Sequence, residues 1–342
     1  MLPSEKPPLL SIANVTWRTI GGFMISTFFL WLTFRHIDFS AFKIIPSSQS
    51  LVSFFAAVAV FLFTVWVQAQ RTKLLWVENF TQWKNTHTLQ SLLVGNFYNC
   101  IIPGNLGEGM KAWHFGRKNN YSFSRSFSAV LAEKWVDAHM FLVFVVILFC
   151  LHPFQHHFIY YSILLVAAVV VGLSIIYHSM LKLVIVKKKI WGIVFLYKKA
   201  GIPLFKTYLH VVDFLKFLKH KKKLPLYVGI GFFVFALNVL QYYLLLQAVG
   251  LNQPLSSFFT AYLISMSMML IIAVPSAPGN LGVLHYGVYS SLILAAGNKG
   301  IIPDPNLLQI FALYTVYLHL SCFLPEVLLG IVVVVQERKL IF

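Results

Sequence analysis

Long apolar runs recur along this chain, and the backbone polar groups inside them leave few ways to fold. Runs of about 20 mainly apolar residues fall near 15–35, 50–70, 126–151, 157–181, 226–249 and 306–335. Twenty helical residues span the ~30 Å hydrocarbon core of a bilayer. In lipid, every N–H and C=O must be satisfied inside the segment or inside a closed barrel, and unalternating runs of this length are helices. Composition agrees: 58% of the 342 residues are hydrophobic and 11% are charged, against about 25% charged in a soluble chain. The expected fold class is an all-α polytopic membrane protein with six spanning helices. The N-terminal "MLPSEKPPLL" lacks the charge–apolar–small order of a cleavable leader, and the first apolar run is long enough to remain in the membrane.

Two further apolar regions, 87–116 and 257–298, carry the same pentapeptide, "PGNLG", at 103–107 and 278–282. Proline lacks a backbone donor and glycine tolerates unusual dihedrals, so Pro103, Gly104, Asn105 and Gly107, like Pro278, Gly279, Asn280 and Gly282, should end a helix. Broken backbone at membrane depth persists where protein or a water-filled cavity satisfies it. Each region is therefore expected to be a re-entrant hairpin of two half-helices. Asn105 and Asn280 suit either headgroup contact or capping of a turn.

Charge orients the expected hairpins. Basic residues mark the loops at 70–86 (Arg71, Lys73, Lys84) and 116–125 (Arg117, Lys118, Arg125), the twelve-lysine stretch from Lys182 to Lys223, and the terminal "QERKLIF". The connections near 151–157, 250–256 and 299–305 are charge-poor. The positive-inside rule puts the basic set and both termini in the cytoplasm. The first hairpin then enters from the cytoplasm and the second from outside, as in an inverted-topology repeat, which places a substrate site near the midplane where the broken helices meet. The chain reads as a single membrane domain: a first half, 1–181, a basic interfacial segment, 182–224, and a second half, 225–342. With a net charge of +17, the basic runs suit anionic lipid headgroups better than nucleic acid.

Several charges fall inside the apolar runs. Glu108 follows the first break, with Lys111 one helical turn on. "AVLAEKWVDAH" places Glu133, Lys134, Asp137 and His139 inside an apparent span. Two carboxylates at i and i+4 should either face a polar cavity or pair with cations such as Lys134 and Lys111; a later helix start would leave them as interfacial anchors. After the second break comes His285, with no carboxylate. A helix start there suits a lipid phosphate, with the imidazole as partner, or the histidine is simply packed. Cys100, Cys150 and Cys322 are isolated and read as packing residues. No metal or cofactor is expected, since His152, His156 and His157 crowd one short loop without acidic or Cys partners.

The stretches "NFYNCIIPGNLGEGMKAW", "AVLAEKWVD" and "VPSAPGNLGVLHYG" resemble the transmembrane region of lysylphosphatidylglycerol synthases, also called the flippase-like family. The resemblance covers nearly the whole chain and implies a module in the cytoplasmic membrane that moves charged or glycosylated lipids. Its implied headgroup site comprises Asn96, Pro103, Gly104, Asn105, Gly107, Glu108, Lys111, Glu133, Lys134, Asp137, Pro278, Gly279, Asn280, Gly282 and His285. Lys111 and Lys134 stand where the family usually has Arg, losing the bidentate fork, and His285 stands where Glu is common. The aminoacyl-transferase domain of some relatives has no counterpart in these residues, so enzymatic activity is not expected. The expected partners are an anionic, aminoacylated or glycosylated membrane lipid and a lipid-modifying enzyme. The competing readings are a membrane enzyme acting on a polyprenyl-linked sugar or phospholipid, with the same carboxylates as acid and base, and an accessory subunit of an envelope-assembly complex.

Overall fold

A computed structural model describes residues 12–35, 48–76, 85–102, 106–151, 223–271 and 276–337, together with 168, 171 and 172. The described residues are all-helical, with no strand. In chain order the helices are α1 (Ile12–Phe34), α2 (Ser48–Trp76), α3 (Asn85–Ile101), α4 (Gly107–Asn119), α5 (Phe123–Leu151), α6 (Lys223–Ala248), α7 (Phe258–Ile271), α8 (Val283–Asn298) and α9 (Pro305–Gln336). Three segments are long and apolar enough to cross a membrane: Ser48–Leu74, Leu224–Ala248 and Pro305–Gln336. They correspond to the expected runs at 50–70, 226–249 and 306–335. The run at 15–35 lies within α1. The run at 126–151 lies within α5, which carries the charges Glu133, Lys134 and Asp137. The run at 157–181, apart from its three described positions, and the basic segment from 182 to 222 fall outside the described residues, as do Pro103, Gly104 and Asn105.

Arg71 belongs to α2 and is buried, which corrects its assignment to a connecting loop. Hydropathy drops at Arg71, but the helix continues because a partner on α5 compensates the charge.

Both regions that carry the pentapeptide fold as paired short helices. In the first, α3 and α4 run antiparallel. His87 Nδ1 lies 3.0 Å from Asn119 Oδ1 and Ser91 Oγ lies 2.9 Å from His114 Nδ1. An added Cβ on Gly95 would come within 2.8 Å of Lys111 Cβ, and the Gly107 N–H donates to Asn99 Oδ1 at 2.7 Å. The contacts step by four residues along α3, from 87 to 91, 95 and 99, so a single i, i+4 ridge faces α4. In the second region α7 packs on α8, with Ser267 opposite Ser291 and Ile271 against Gly287. The helices are 17, 13, 14 and 16 residues long, or about 26, 20, 21 and 24 Å at 1.5 Å per residue. Each is shorter than a bilayer core.

The remaining helices cross between the two regions. α2 packs along α6, and α5 joins them through the Phe144–Phe235 ring stack (3.7 Å). From the N-terminal end, α1 lies on α8; from the C-terminal end, α9 lies on α3, with Gly330 against Phe97. Each hairpin is thus buttressed by a helix from the far end of the chain.

Candidate functional site

Just after the first break, the start of α4 faces the middle of α5. Lys111, 3% exposed, donates to Glu133 Oε2 at 2.8 Å. Glu133, 2% exposed, also accepts from Thr72 Oγ1 of α2 at 3.0 Å. Glu108 pairs with Lys134 at 2.7 Å and lies 3.9 Å from Lys111. One turn further along α5, Asp137 accepts from Arg71 Nη2 at 2.7 Å, and the Arg71 guanidinium lies 4.1 Å from the centroid of the Tyr227 ring. The five charged residues expected from the sequence therefore join one ion-pair cluster, with Arg71, Thr72 and Tyr227 added by the fold. Asp137 lies 14 residues from the start of α5 at Phe123, about 21 Å along it. Its partner Arg71 lies five residues from the end of α2 at Trp76, only about 8 Å along that helix. The pair is therefore shallower than its position on α5 alone implies. Glu108 Oε2, Arg71 Nε and the Tyr227 hydroxyl are buried without a hydrogen-bond partner among the described residues.

The open ends of the first hairpin and of α9 are clamped together. Glu337, just past α9, accepts from Lys118 Nζ at 2.6 Å and lies 3.1 Å from His114 Nε2. Burial raises the Glu337 pKa, and the hydrogen bonds from Lys118 and His114 more than offset this, so its carboxyl is held below the usual carboxylate value. A depressed folded-state pKa gives stability that is complete above the ordinary value of about 4.3 and lost as pH falls through the lower folded value. Melting curves in detergent, taken at intervals from neutral pH into the acid range, should show that loss in the parent. Glu337→Gln should be less stable at neutral pH and should lack that part of the acid dependence. Parallel acid profiles for the two proteins would exclude the clamp.

The second break has a different backbone. Pro278–Asn280 form a short 3₁₀ turn, and Gly279 (φ 66°), Asn280 (φ 56°) and Gly282 (φ 79°) are left-handed. Asn tolerates that region and Gly favours it. Asn280 Oδ1 accepts from Ser276 Oγ at 2.8 Å, so it serves the turn. The Ala277 N–H donates to Ser26 Oγ of α1 at 2.8 Å, and Gly282 abuts the Ser26 backbone. His285 is buried between Phe34 (5.8 Å between ring centroids) and His319 (5.0 Å). Its Nδ1, like that of His319, has no hydrogen-bond partner among the described residues.

The second break packs on the end of α3. A Cβ on Gly279 would lie 2.9 Å from the Phe323 ring and 3.8 Å from the Cys100 carbonyl oxygen. Beside this contact Glu326 of α9 accepts from Asn96 Nδ2 at 2.9 Å and from Cys100 Sγ at 3.5 Å. Gln241 of α6 donates to Ser321 Oγ at 3.2 Å and Cys322 Sγ at 3.3 Å. Asn96 is thus tied to a carboxylate that sequence reasoning missed, and Cys100 and Cys322 both take part in polar contacts. Arg71, His319 and Glu326 each interrupt an apolar run, a signal visible in the sequence. Thr72 and Ser26 carry no such signal.

The fold separates the expected residues into two places. Glu108, Lys111, Glu133, Lys134 and Asp137 form the ion-pair cluster at the start of α4. Asn96 lies near the end of α3, and Pro278, Gly279, Asn280, Gly282 and His285 lie in or just after the second break. Gly107 lies between them, sealed against Gly95 and Asn99. No curated protein and no solved structure matches the chain. Residues 19–305 match the family model described as the lysylphosphatidylglycerol synthase TM region, and on that match, together with its apolar helices, the chain belongs to this family of multi-pass membrane proteins.

Proposed function

We propose that this protein binds a charged or glycosylated membrane lipid and carries its headgroup across the cytoplasmic membrane. The observation that carries the reading is the packing of the second break, at Gly279, on the end of α3 at Cys100, inside a bundle of apolar helices that also holds the ion-pair cluster at the start of α4. Irregular backbone at membrane depth is tolerated where it lines a site, and broken helices that meet near the midplane are how many transporters build one. On this reading the hairpins are re-entrant, the first entering from the cytoplasm and the second from outside, within six spans with both termini inside. The polar atoms of Glu108, Arg71 and Tyr227 that lack partners among the described residues would receive the headgroup, while acyl chains stay in the bilayer. An anionic, aminoacylated or glycosylated lipid fits this mixed-charge surface, and a lipid-modifying enzyme would supply it.

The ion pairs favour translocation over the enzymatic reading. General acid–base work needs a carboxyl free to exchange its proton near the operating pH, whereas Glu108, Glu133 and Asp137 each face a lysine or arginine.

Reconstitution into liposomes with a panel of fluorescent lipids tests the proposal. The panel should include phosphatidylglycerol, its lysyl ester and a glycosylated lipid. Protein-dependent transfer of at least one lipid between leaflets, with the lipid recovered unchanged, is the expected result. A chemically altered lipid would establish the enzymatic reading, and transfer no faster than in empty liposomes for every lipid would reject translocation.

A further inference from the structure

The ion-pair cluster is electrically neutral, and its unmet hydrogen-bonding groups are of both kinds. Arg71, Lys111 and Lys134 face Asp137, Glu133 and Glu108, three cations against three anions. Lys111, Glu133 and Arg71 form a buried inner layer. Glu108, Asp137 and Lys134 form an outer one, with side chains 26%, 30% and 48% exposed. Glu108 Oε2 is an acceptor with no donor among the described residues, and Arg71 Nε and the Tyr227 hydroxyl are donors with no acceptor among them. Arg71 and Tyr227 are 4% and 1% exposed, so leaving those donors unmet is costly. Lys134 and Asp137 stand one turn apart on α5, about 5–6 Å between Cβ atoms, which sets a positive and a negative charge side by side in the outer layer. Leu131, Ala138 and Leu142, none of them buried, continue this side of α5 with apolar groups, a surface for acyl chains.

Neutrality restricts what the cluster can take. A phosphate that meets Lys134 displaces Glu108, and Glu108 then has only Lys111 at 3.9 Å, which Glu133 already holds at 2.8 Å. A net anionic headgroup thus leaves one carboxylate uncompensated among apolar helices, which is costly. A net cationic headgroup leaves a cation in the same position. An uncharged sugar adds no net charge, but it replaces neither partner of an opened pair. A headgroup with one phosphate and one ammonium replaces both: the phosphate takes the place of Glu108 on Lys134, and the ammonium takes the place of Lys134 on Glu108. The unmet groups agree with this. A primary ammonium supplies a donor for Glu108 Oε2, and phosphate oxygens are the acceptors that Arg71 Nε and the Tyr227 hydroxyl lack.

We propose that the preferred ligand of this cluster is a zwitterionic phospholipid whose headgroup joins one phosphate to one primary ammonium, as in phosphatidylethanolamine. It is taken by exchange of partners: the Glu108–Lys134 pair opens, and each member pairs with one end of the headgroup. No covalent bond forms or breaks, and the cluster stays neutral throughout. The inference rests on the reading above that this cluster receives the headgroup, and it narrows that reading to one charge class.

Binding of labelled lipids to the full chain in an uncharged detergent tests it, with transfer between liposome leaflets measured in parallel. The lipids are phosphatidylethanolamine, phosphatidylcholine, phosphatidylglycerol, its lysyl ester and an uncharged glycolipid. Phosphatidylethanolamine should bind at least about fivefold tighter than phosphatidylglycerol and the lysyl ester, the discrimination that one unbalanced charge gives even in a water-like dielectric. It should also bind tighter than the glycolipid, and tighter than phosphatidylcholine, which is equally neutral but has no N–H donor. Two variants shift the balance in opposite directions. Lys134→Gln removes a positive charge and should move the preference toward the lysyl ester, and Glu108→Gln removes a negative charge and should move it toward phosphatidylglycerol. Structural damage alone would weaken all five lipids alike. Tighter binding of phosphatidylglycerol, the lysyl ester or the glycolipid by the parent, equal binding of phosphatidylethanolamine and phosphatidylcholine, or a preference that neither variant moves would each overturn the proposal. If one variant fails to fold, the other and the ranking in the parent decide. Phosphatidylethanolamine bound selectively but never transferred would sustain the headgroup class and reject the translocation reading. Selective transfer of another lipid would sustain translocation and overturn the class.

Discussion

Lys111→Met should lower stability by about 3–5 kcal/mol, because it strands the buried Glu133 carboxylate without a cation. The geometry decides which partner suffers. Lys111 is 2.8 Å from Glu133 and 3.9 Å from Glu108, and Glu108 keeps Lys134 at 2.7 Å. Glu133 would retain only the Thr72 hydroxyl, too weak to offset a buried charge. Adding Glu133→Gln to Lys111→Met removes that charge and should recover most of the loss, since exchanging both members of a buried pair is often neutral or stabilising. Lys134→Met should cost less than Lys111→Met, because Glu108 still has Lys111 at 3.9 Å whereas Glu133 has no second cation in its ion pairs. Unfolding of the single and double variants in detergent measures the coupling. A double variant no more stable than Lys111→Met alone would show that the pair does not hold α4 to α5.

Gly107→Ala should be as damaging, while Gly109→Ala, two residues on in "GEG", should be tolerated. A Cβ on Gly107 would collide with the Gly95 carbonyl and the Asn99 side chain, the same amide that accepts the Gly107 N–H. Backbone cannot yield as a side-chain tip can, so α4 would have to move away from α3, breaking the cap and the Lys111 contact together. A loss of about 3 kcal/mol or more, of the kind seen for overpacking combined with a broken hydrogen bond, is expected. A Cβ on Gly109 meets nothing within 4 Å, and replacing a helical glycine by alanine gains up to about 1 kcal/mol. Folded yield and melting temperature separate the two variants. Equal tolerance of both would mean that α3 and α4 are not in close contact.

Much of this protein is legible in one dimension. An apolar run of twenty residues has one low-energy form in lipid, so α2, α6 and α9 are visible as helices from hydropathy alone. Pro-Gly-Asn-Leu-Gly breaks a helix wherever it occurs, which is why two pairs of short helices flank the two copies. Lys111 reaches a carboxylate as expected, though Glu133 on another helix is much nearer to it than Glu108, one turn away on its own. Local spacing shows which residues share a face; it does not show what that face meets.

Tertiary structure alone decided the partners. Arg71 looks like a loop cation because hydropathy averages over neighbours, and an ion pair to Asp137, 66 positions later (137 − 71), is invisible to any local window. Glu326 looks like a blemish in an apolar helix until α9 lies along α3 and sets it on Asn96, 230 residues away. His285, read from its position as a phosphate partner or a packed residue, gains its ring neighbours only when α1 and α9 bring Phe34 and His319 to it. The sequence by itself determined which segments are helical, where they break and which charges must find compensation, because the solvent and the backbone impose those constraints residue by residue. The tertiary structure decided how each charge is compensated and that the second break packs on the end of α3, because those depend on long-range packing between elements far apart in the chain.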